Sequence, residues 1–127
     1  MVSFDKTHFS TIYILVRKGE NVESPGILDR LESIRISEDK KTEISDTVWF
    51  VPFESIIGFR DHLPKEIILR LIIVYSKEND LVLDPFSGYG ITAIVSKALK
   101  RHYFCIDTDE KKVQIAANRI TEFSHSV

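Results

Sequence analysis

The residues best suited to chemistry lie in one short stretch, Asp84-Pro85-Phe86-Ser87-Gly88-Tyr89-Gly90-Ile91-Thr92-Ala93, with a second acid, Asp107, further on. Glycine at 88 and 90 removes the β-carbon where a ligand must come close to backbone. A helix that starts at Ile91 offers unpaired N–H groups at its first turn. Asp107 follows at the distance of one β-α-β unit, where a carboxylate can accept hydrogen bonds from both hydroxyls of a ribose. Together these residues predict a site for an adenosine-containing cofactor.

Two kinds of cofactor fit that description. Gly88-x-Gly90-x-x-Ala93 matches the dinucleotide fingerprint G-x-G-x-x-G/A. A dinucleotide, however, places an anionic pyrophosphate at the helix N-terminus, and Asp84 at the mouth of the loop would repel it. S-adenosylmethionine carries a sulfonium and an ammonium, and Asp84 suits both charges. Phe86 can offer a ring face to a cation or to adenine. Charge therefore favours S-adenosylmethionine, with Asp84, Pro85, Phe86, Ser87, Gly88, Gly90, Thr92 and Asp107 as the cofactor-binding residues. The alternatives for each residue are ordinary ones. Gly88 and Gly90 could serve only a tight strand-to-helix turn, Asp84 could cap the helix, Phe86 could belong to the core, and Asp107 could be a turn residue.

The elements that must carry this site follow from periodicity. Leu81 to Asp84 is a short apolar strand ending in an acid, and His102 to Ile106 is another, ending at Asp107. Pro64 to Ser76 is a helix with Ile67, Ile68, Leu71, Ile72 and Tyr75 on one face. Ile91 to Lys100 is a helix with Ile91, Ile94, Val95, Ala98 and Leu99 inward. A last helix, capped by Thr108 or Asp109, runs to about Phe123 with Val113, Ala116, Ala117 and Ile120 inward. Glu78-Asn79-Asp80 is a turn. Helix, strand, loop, helix, strand, helix in that order builds a parallel sheet with right-handed crossovers. The ligands of such sheets bind beyond the carboxyl ends of the strands, and both strand ends here carry an acid.

The first sixty residues are less regular. Thr11 to Val16 is an apolar, β-branched run that predicts a buried strand, and Asp46 to Pro52 contains a second. Ser24 with Pro25 can open a short helix with Ile27, Leu28, Leu31 and Ile34 on its apolar side. Residues 19–46 are otherwise polar and irregular, and Lys40-Lys41-Thr42-Glu43 is expected to be exposed. The chain is taken as a single partial domain. Residues 1–60 form a strand and a variable or linker region, and residues 61–123 form the α/β unit that holds the cofactor.

Composition narrows the function classes. The 127 residues hold 17 basic and 19 acidic side chains, a formal net charge of −2. This is no general basic surface of the kind that binds nucleic acid tightly by itself. No apolar run approaches the roughly 20 residues that span a bilayer, so no membrane partner is expected. One cysteine, Cys105, excludes an internal disulfide and fits a reducing cytoplasm. No metal site is expected.

The spelling of the loop is that of a known family. Leu81-Val82-Leu83-Asp84-Pro85-Phe86-Ser87-Gly88-Tyr89-Gly90-Ile91-Thr92 resembles the V-L-D-P-F-x-G-S-G-T-T cofactor motif of DNA methyltransferases that modify adenine N6 or cytosine N4. Tyr103-Phe104-Cys105-Ile106-Asp107 is similar to the Y-I-G-I-E segment that follows it, and Ala116-Ala117-Asn118-Arg119-Ile120 to its A-x-x-R-L close. Pro64 to Ile72 resembles the P-E-E-L-x-x-R-L-I helix before the loop. His62 stands near the family's H-P motif. Tyr13 to Gly19 and Asp46 to Trp49 are similar to two upstream strands. The sequence departs from the pattern at Tyr89, Ile91, Cys105 and Asp107. Tyr89 and Ile91 make the loop bulkier, and Cys105 replaces a glycine where it is expected to crowd adenine.

The resemblance implies a partial Rossmann-like methyltransferase fold and S-adenosylmethionine as cofactor. It also implies that something is missing. Direct transfer to an exocyclic amine needs a [D/N/S]-P-P-[Y/F/W] loop, whose polar groups hold the amine and whose aromatic ring stacks on a flipped base. The four prolines, at 25, 52, 64 and 85, are never adjacent, so no catalytic residue is assigned. The expectation is a cofactor-binding part that works with a complementary catalytic subunit or an identical chain, with DNA bound by the assembled enzyme. The alternatives are an inactive, self-associating module and an RNA methyltransferase.

Overall fold

The computed structural model describes residues 36–45, 49, 51 and 63–125. Six elements lie in them: α1 (Glu38–Ser45), α2 (Lys65–Tyr75), β1 (Leu81–Asp84), α3 (Ile91–Ala98), β2 (His102–Cys105) and α4 (Glu110–His125). The expected strand at 11–16, the short helix opened by Ser24, and His62 lie outside the described residues. Of the strand expected within 46–52, only Trp49 and Val51 are described, and neither is in a strand.

β1 and β2 pair in parallel, Leu81 with His102 through Asp84 with Cys105. α3 crosses between them. It packs against β2, against α2 on one side and against α4 on the other. Alternate side chains of a strand point to opposite faces, and the two faces differ here. Val82, Asp84, Tyr103 and Cys105 are half-buried, whereas Leu81, Leu83, His102 and Phe104 are exposed. The described helices thus leave one apolar face of the sheet uncovered. This architecture is a β-α-β segment of a partial Rossmann-like fold.

The core has a part that the charge pattern hid. Residues 38–45, expected to be irregular and exposed, form α1. Ser37 accepts the Lys40 amide at its N-terminus, and Lys41–Glu38 and Lys40–Glu43 pair at helical spacing. Ile44 is buried with Ile73 and Val74, and Ile36, Trp49, Leu69 and Leu99 pack around them. Trp49 is therefore a core residue, and its indole N–H donates to the Ile44 carbonyl at 3.1 Å. Arg70, only 4% exposed, crosses from α2 to α1. It donates to Glu66 at 2.8 Å and to the Glu43 carboxylate at 3.1 Å, with its guanidinium 5.4 Å from the Trp49 ring centre. Lys40 also pairs with Glu66. The hydrogen bond to Glu66 is the main reason the Lys40 ammonium is held above its ordinary value. Burial alone would raise the Glu66 carboxyl, but the bonds from Lys40 and Arg70 outweigh it and hold it below the usual range.

Three helix stripes differ in part from those the periodicity predicts. Ala116 is buried and Ile120 half-buried, as the periodicity predicts, but Val113 is 45% exposed and Ala117 is exposed, while Ile115 and Arg119 are half-buried. Ala98 is exposed at the end of α3, and Tyr75 lies at the rim of α2. Among the described residues, none covers the outer flank of α4 at Val113 and Ala117. Arg101 fastens the carboxyl ends of α2 and α3, donating to the Ser76 carbonyl at 2.8 Å, the Ser76 hydroxyl at 3.1 Å and the Leu99 carbonyl at 2.6 Å.

Candidate functional site: a stitched glycine loop

The loop from Asp84 to Gly90 leaves the carboxyl end of β1 and turns into α3 beside the carboxyl end of β2. Each of its polar groups has a definite use. Asp84 accepts the Phe86 amide at 3.0 Å on one oxygen and the Thr92 hydroxyl at 2.5 Å on the other. It therefore ties the strand end to the first turn of α3, where Thr92 is buried. The Ser87 amide and hydroxyl both donate to the Ile106 carbonyl, at 2.9 and 3.1 Å. The Gly88 amide donates to Asp107 Oδ2 at 2.8 Å, and the Asp109 amide to Asp107 Oδ1 at 2.9 Å. The Gly90 amide closes the turn on the Ser87 carbonyl at 2.9 Å. The two acids singled out by spacing thus meet across one loop. A carboxylate offers about four acceptor sites, and each uses two on the protein.

The two glycines do different things. Both have positive φ, +50° at Gly88 and +81° at Gly90. A β-carbon on Gly90 would lie 2.8 Å from the Ala116 Cβ and 3.3 Å from its Cα. Gly90 is therefore needed for α4 to approach the start of α3, and its bare face is turned to protein. A β-carbon on Gly88 would meet nothing within 4 Å. Of the two, Gly88 alone turns its bare face to open space, the arrangement a ligand contact requires.

The remaining expected residues are also placed. Pro85 is exposed, and Phe86 is 87% exposed, which removes it from the core. Cys105 does not open toward the loop's free side. It lies on the face toward α3, where its sulfur accepts the Ala93 amide, one of the orphan donors of that helix. Burial, with a smaller contribution from the Asp84 charge, pushes its thiol up to about 11. Asp107 is held below its ordinary value, first by the Asp109 amide and then by that of Gly88. Beyond Asp107 the surface forms a shallow depression lined by Glu110, Lys111, Val113 and Gln114. Among the described residues, no group of His, Cys, Asp and Glu is placed to hold a metal ion. No helix among them is long and apolar enough to cross a membrane.

Two residues that touch this loop were not among the expected cofactor residues, although Arg119 stands in the A-x-x-R-L close. Arg119 donates to the Tyr89 carbonyl at 2.6 Å, and Lys112 sits 5.6 Å from the centre of the Tyr89 ring. Arg119 occupies the same helical stripe as Ala116, Ile120 and Phe123. A cation on an apolar stripe signals a partly buried acceptor that needs a donor.

The sequence matches the N6/N4 DNA methylase family model over residues 5–118. The chain belongs to that family. It is 42% identical over 59 residues to the type II methyltransferase M.HinfI of Haemophilus influenzae, a match of 46% of this chain and 16% of the relative. It is 41% identical over 59 residues to the type II methyltransferase M2.LlaDCHI of Lactococcus lactis subsp. cremoris, a match of 46% and 22% respectively. Among solved structures it is similar to a putative DNA modification methylase of Thermus thermophilus complexed with S-adenosyl-L-methionine, with a TM-score of 0.58 and 27% identity. That match covers 70% of this chain and 35% of the solved one. The chain therefore spans about a fifth of the length of these curated methyltransferases and about a third of the solved methylase.

Proposed function

We propose that this chain is the cofactor-holding part of an S-adenosylmethionine-dependent DNA amino-methyltransferase that acts on adenine N6 or cytosine N4. The observation that carries the reading is the stitched loop. Two carboxylates at the ends of adjacent parallel strands flank Gly88, the one of the loop's two glycines at which a β-carbon would meet nothing. The surroundings fit a cationic nucleoside. Asp84 and Asp107 keep acceptor sites to spare beyond those used on the loop, and the exposed Phe86 ring can cover a cation or a base. The solved methylase that shares this fold is complexed with the same molecule.

When bound, the cofactor supplies an electrophilic methyl group. The chain's own part is to bind and orient it. Asp84 complements its positive end, Gly88 lets backbone come close, and Asp107 faces the ribose with its remaining acceptor sites. The base-binding half of the reaction needs residues that the chain does not spell, because no two of its prolines adjoin. In this reading those residues belong to a complementary catalytic subunit, and DNA binds to the assembly. The uncovered face of Leu81, Leu83 and Phe104 supports a missing layer, since parallel sheets are normally covered on both sides. The absent loop equally favours a second reading, a module that binds cofactor without catalysis.

The test is a calorimetric titration of the purified chain with S-adenosylmethionine, followed by methylation assays on DNA. Binding by the chain, with methyl transfer only after mixing with a protein that carries an intact proline-proline-aromatic loop, is the expected pattern. Binding with no transfer in any mixture would select the second reading. Methylation by this chain alone would refute the split arrangement, and no heat of binding would remove the cofactor assignment.

A further inference from the structure

Asp107 is the residue a spacing argument assigns to ribose, yet both of its oxygens already serve the protein. Oδ2 takes the Gly88 amide across 19 residues of chain, and Oδ1 takes the Asp109 amide in its own turn. The Gly88 bond is the one that matters for the site. Gly88 sits at φ +50° with its Cα side open, and its amide is drawn toward the end of β2 by Asp107. Ser87, one residue earlier, is held to the same strand end by two donors on the Ile106 carbonyl. The Ser87 bonds fix where the loop crosses β2. The Gly88 bond fixes which way the loop faces. Asp84 makes its contacts on the β1 side, to the Phe86 amide and the Thr92 hydroxyl, and has no bond to Gly88.

We propose that Asp107 is a positioning residue, whose carboxylate holds Gly88 in its left-handed turn before any cofactor arrives and so sets the open side of the loop. This rests on the cofactor reading above for its functional meaning, but the lock itself belongs to the ligand-free chain. It predicts that replacing Asp107 changes the loop even where no ribose is present.

Site-resolved amide hydrogen exchange on the cofactor-free 127-residue chain reads this directly. In Asp107→Asn, the single amide oxygen can keep the Asp109 turn, but the amide nitrogen then opposes the Gly88 N–H. In Asp107→Ser, the side chain can still serve the local turn and is too short to reach Gly88. Exchange at Gly88 should speed by about tenfold or more in both variants, the loss expected for one charge-assisted bond. The Ser87 amide, held by Ile106, and the α3 core amides of Val95 and Ser96 should keep their wild-type rates. S-adenosylmethionine affinity should fall in the same two variants. Unchanged Gly88 exchange alongside weakened cofactor binding would overturn the proposal and leave Asp107 a direct ligand only. Faster Gly88 exchange in a chain that never bound S-adenosylmethionine would sustain the lock while sinking the cofactor reading. The two failures are therefore distinguishable.

Discussion

A methyl group at Gly88 and one at Gly90 ought to have opposite consequences. Gly88→Ala carries only the left-handed backbone penalty of about 1–2 kcal/mol, since the new carbon meets nothing. It should fold, and it should lose cofactor affinity because the methyl enters the open side. Gly90→Ala adds a 2.8 Å clash with Ala116 to that penalty. It should cost about 2–4 kcal/mol of stability. Denaturant unfolding and cofactor titration of the two variants separate these effects. A Gly90→Ala protein as stable as wild type would show that α4 does not press on the loop. The sequence showed both glycines and both acids, but it treated the glycines as equals. Only the approach of Ala116, from the next helix but one element along the chain, distinguishes them, and no spacing rule reaches that far. The same limit hid the self-satisfaction of Asp84 and Asp107. Residue type announces a carboxylate but cannot say which amides it will meet.

At the level of elements, α2, β1, α3, β2 and α4 were legible because each repeats apolar residues with the period of its own geometry. α1 was not, because its helical period is carried by charge pairs and a single buried isoleucine, Ile44. Its anchor is the Arg70–Glu66–Lys40–Glu43 network, and this network should give stability a pH dependence. Glu66 is held below its unfolded value near 4.3. Its contribution is therefore present above that value and is lost as pH falls through the lower folded value. Lys40 is held above its unfolded value near 10.4. Its contribution is present below that value and is lost as pH rises through the higher folded one. Glu66→Gln should flatten the acid limb of thermal stability against pH and leave neutral-pH cofactor binding alone. Arg70→Ala should cost about 2–3 kcal/mol, because it removes a buried guanidinium that joins two helices. A loss within error of zero in chemical unfolding would mean that the network only decorates α1. The α4 stripe failed for a related reason. Periodicity marks which side of a helix is apolar, but Val113 and Ala117 would be buried only if a further layer lay beside them.

Among the described residues, the sheet is covered on one side. Leu83→Asp, on the uncovered face, should change the stability of the isolated chain by no more than about 0.5 kcal/mol, as for an ordinary surface change. In the proposed split arrangement, the same substitution should weaken association with a protein that carries the proline-proline-aromatic loop, measured by sedimentation of the mixture. A loss of several kcal/mol in the chain alone would show that the face is already covered by residues outside those described. The single cysteine carries a different consequence. Its sulfur is engaged beneath the loop and its thiol is raised to about 11. A thiol raised in this way is less often thiolate at neutral pH, and thiolate is the form that reacts with alkylating reagents. The chain thus presents an almost blank background to maleimide dyes. A cysteine introduced at Phe86, 87% exposed on the loop, would take the label faster than Cys105 and turn cofactor arrival into a fluorescence change.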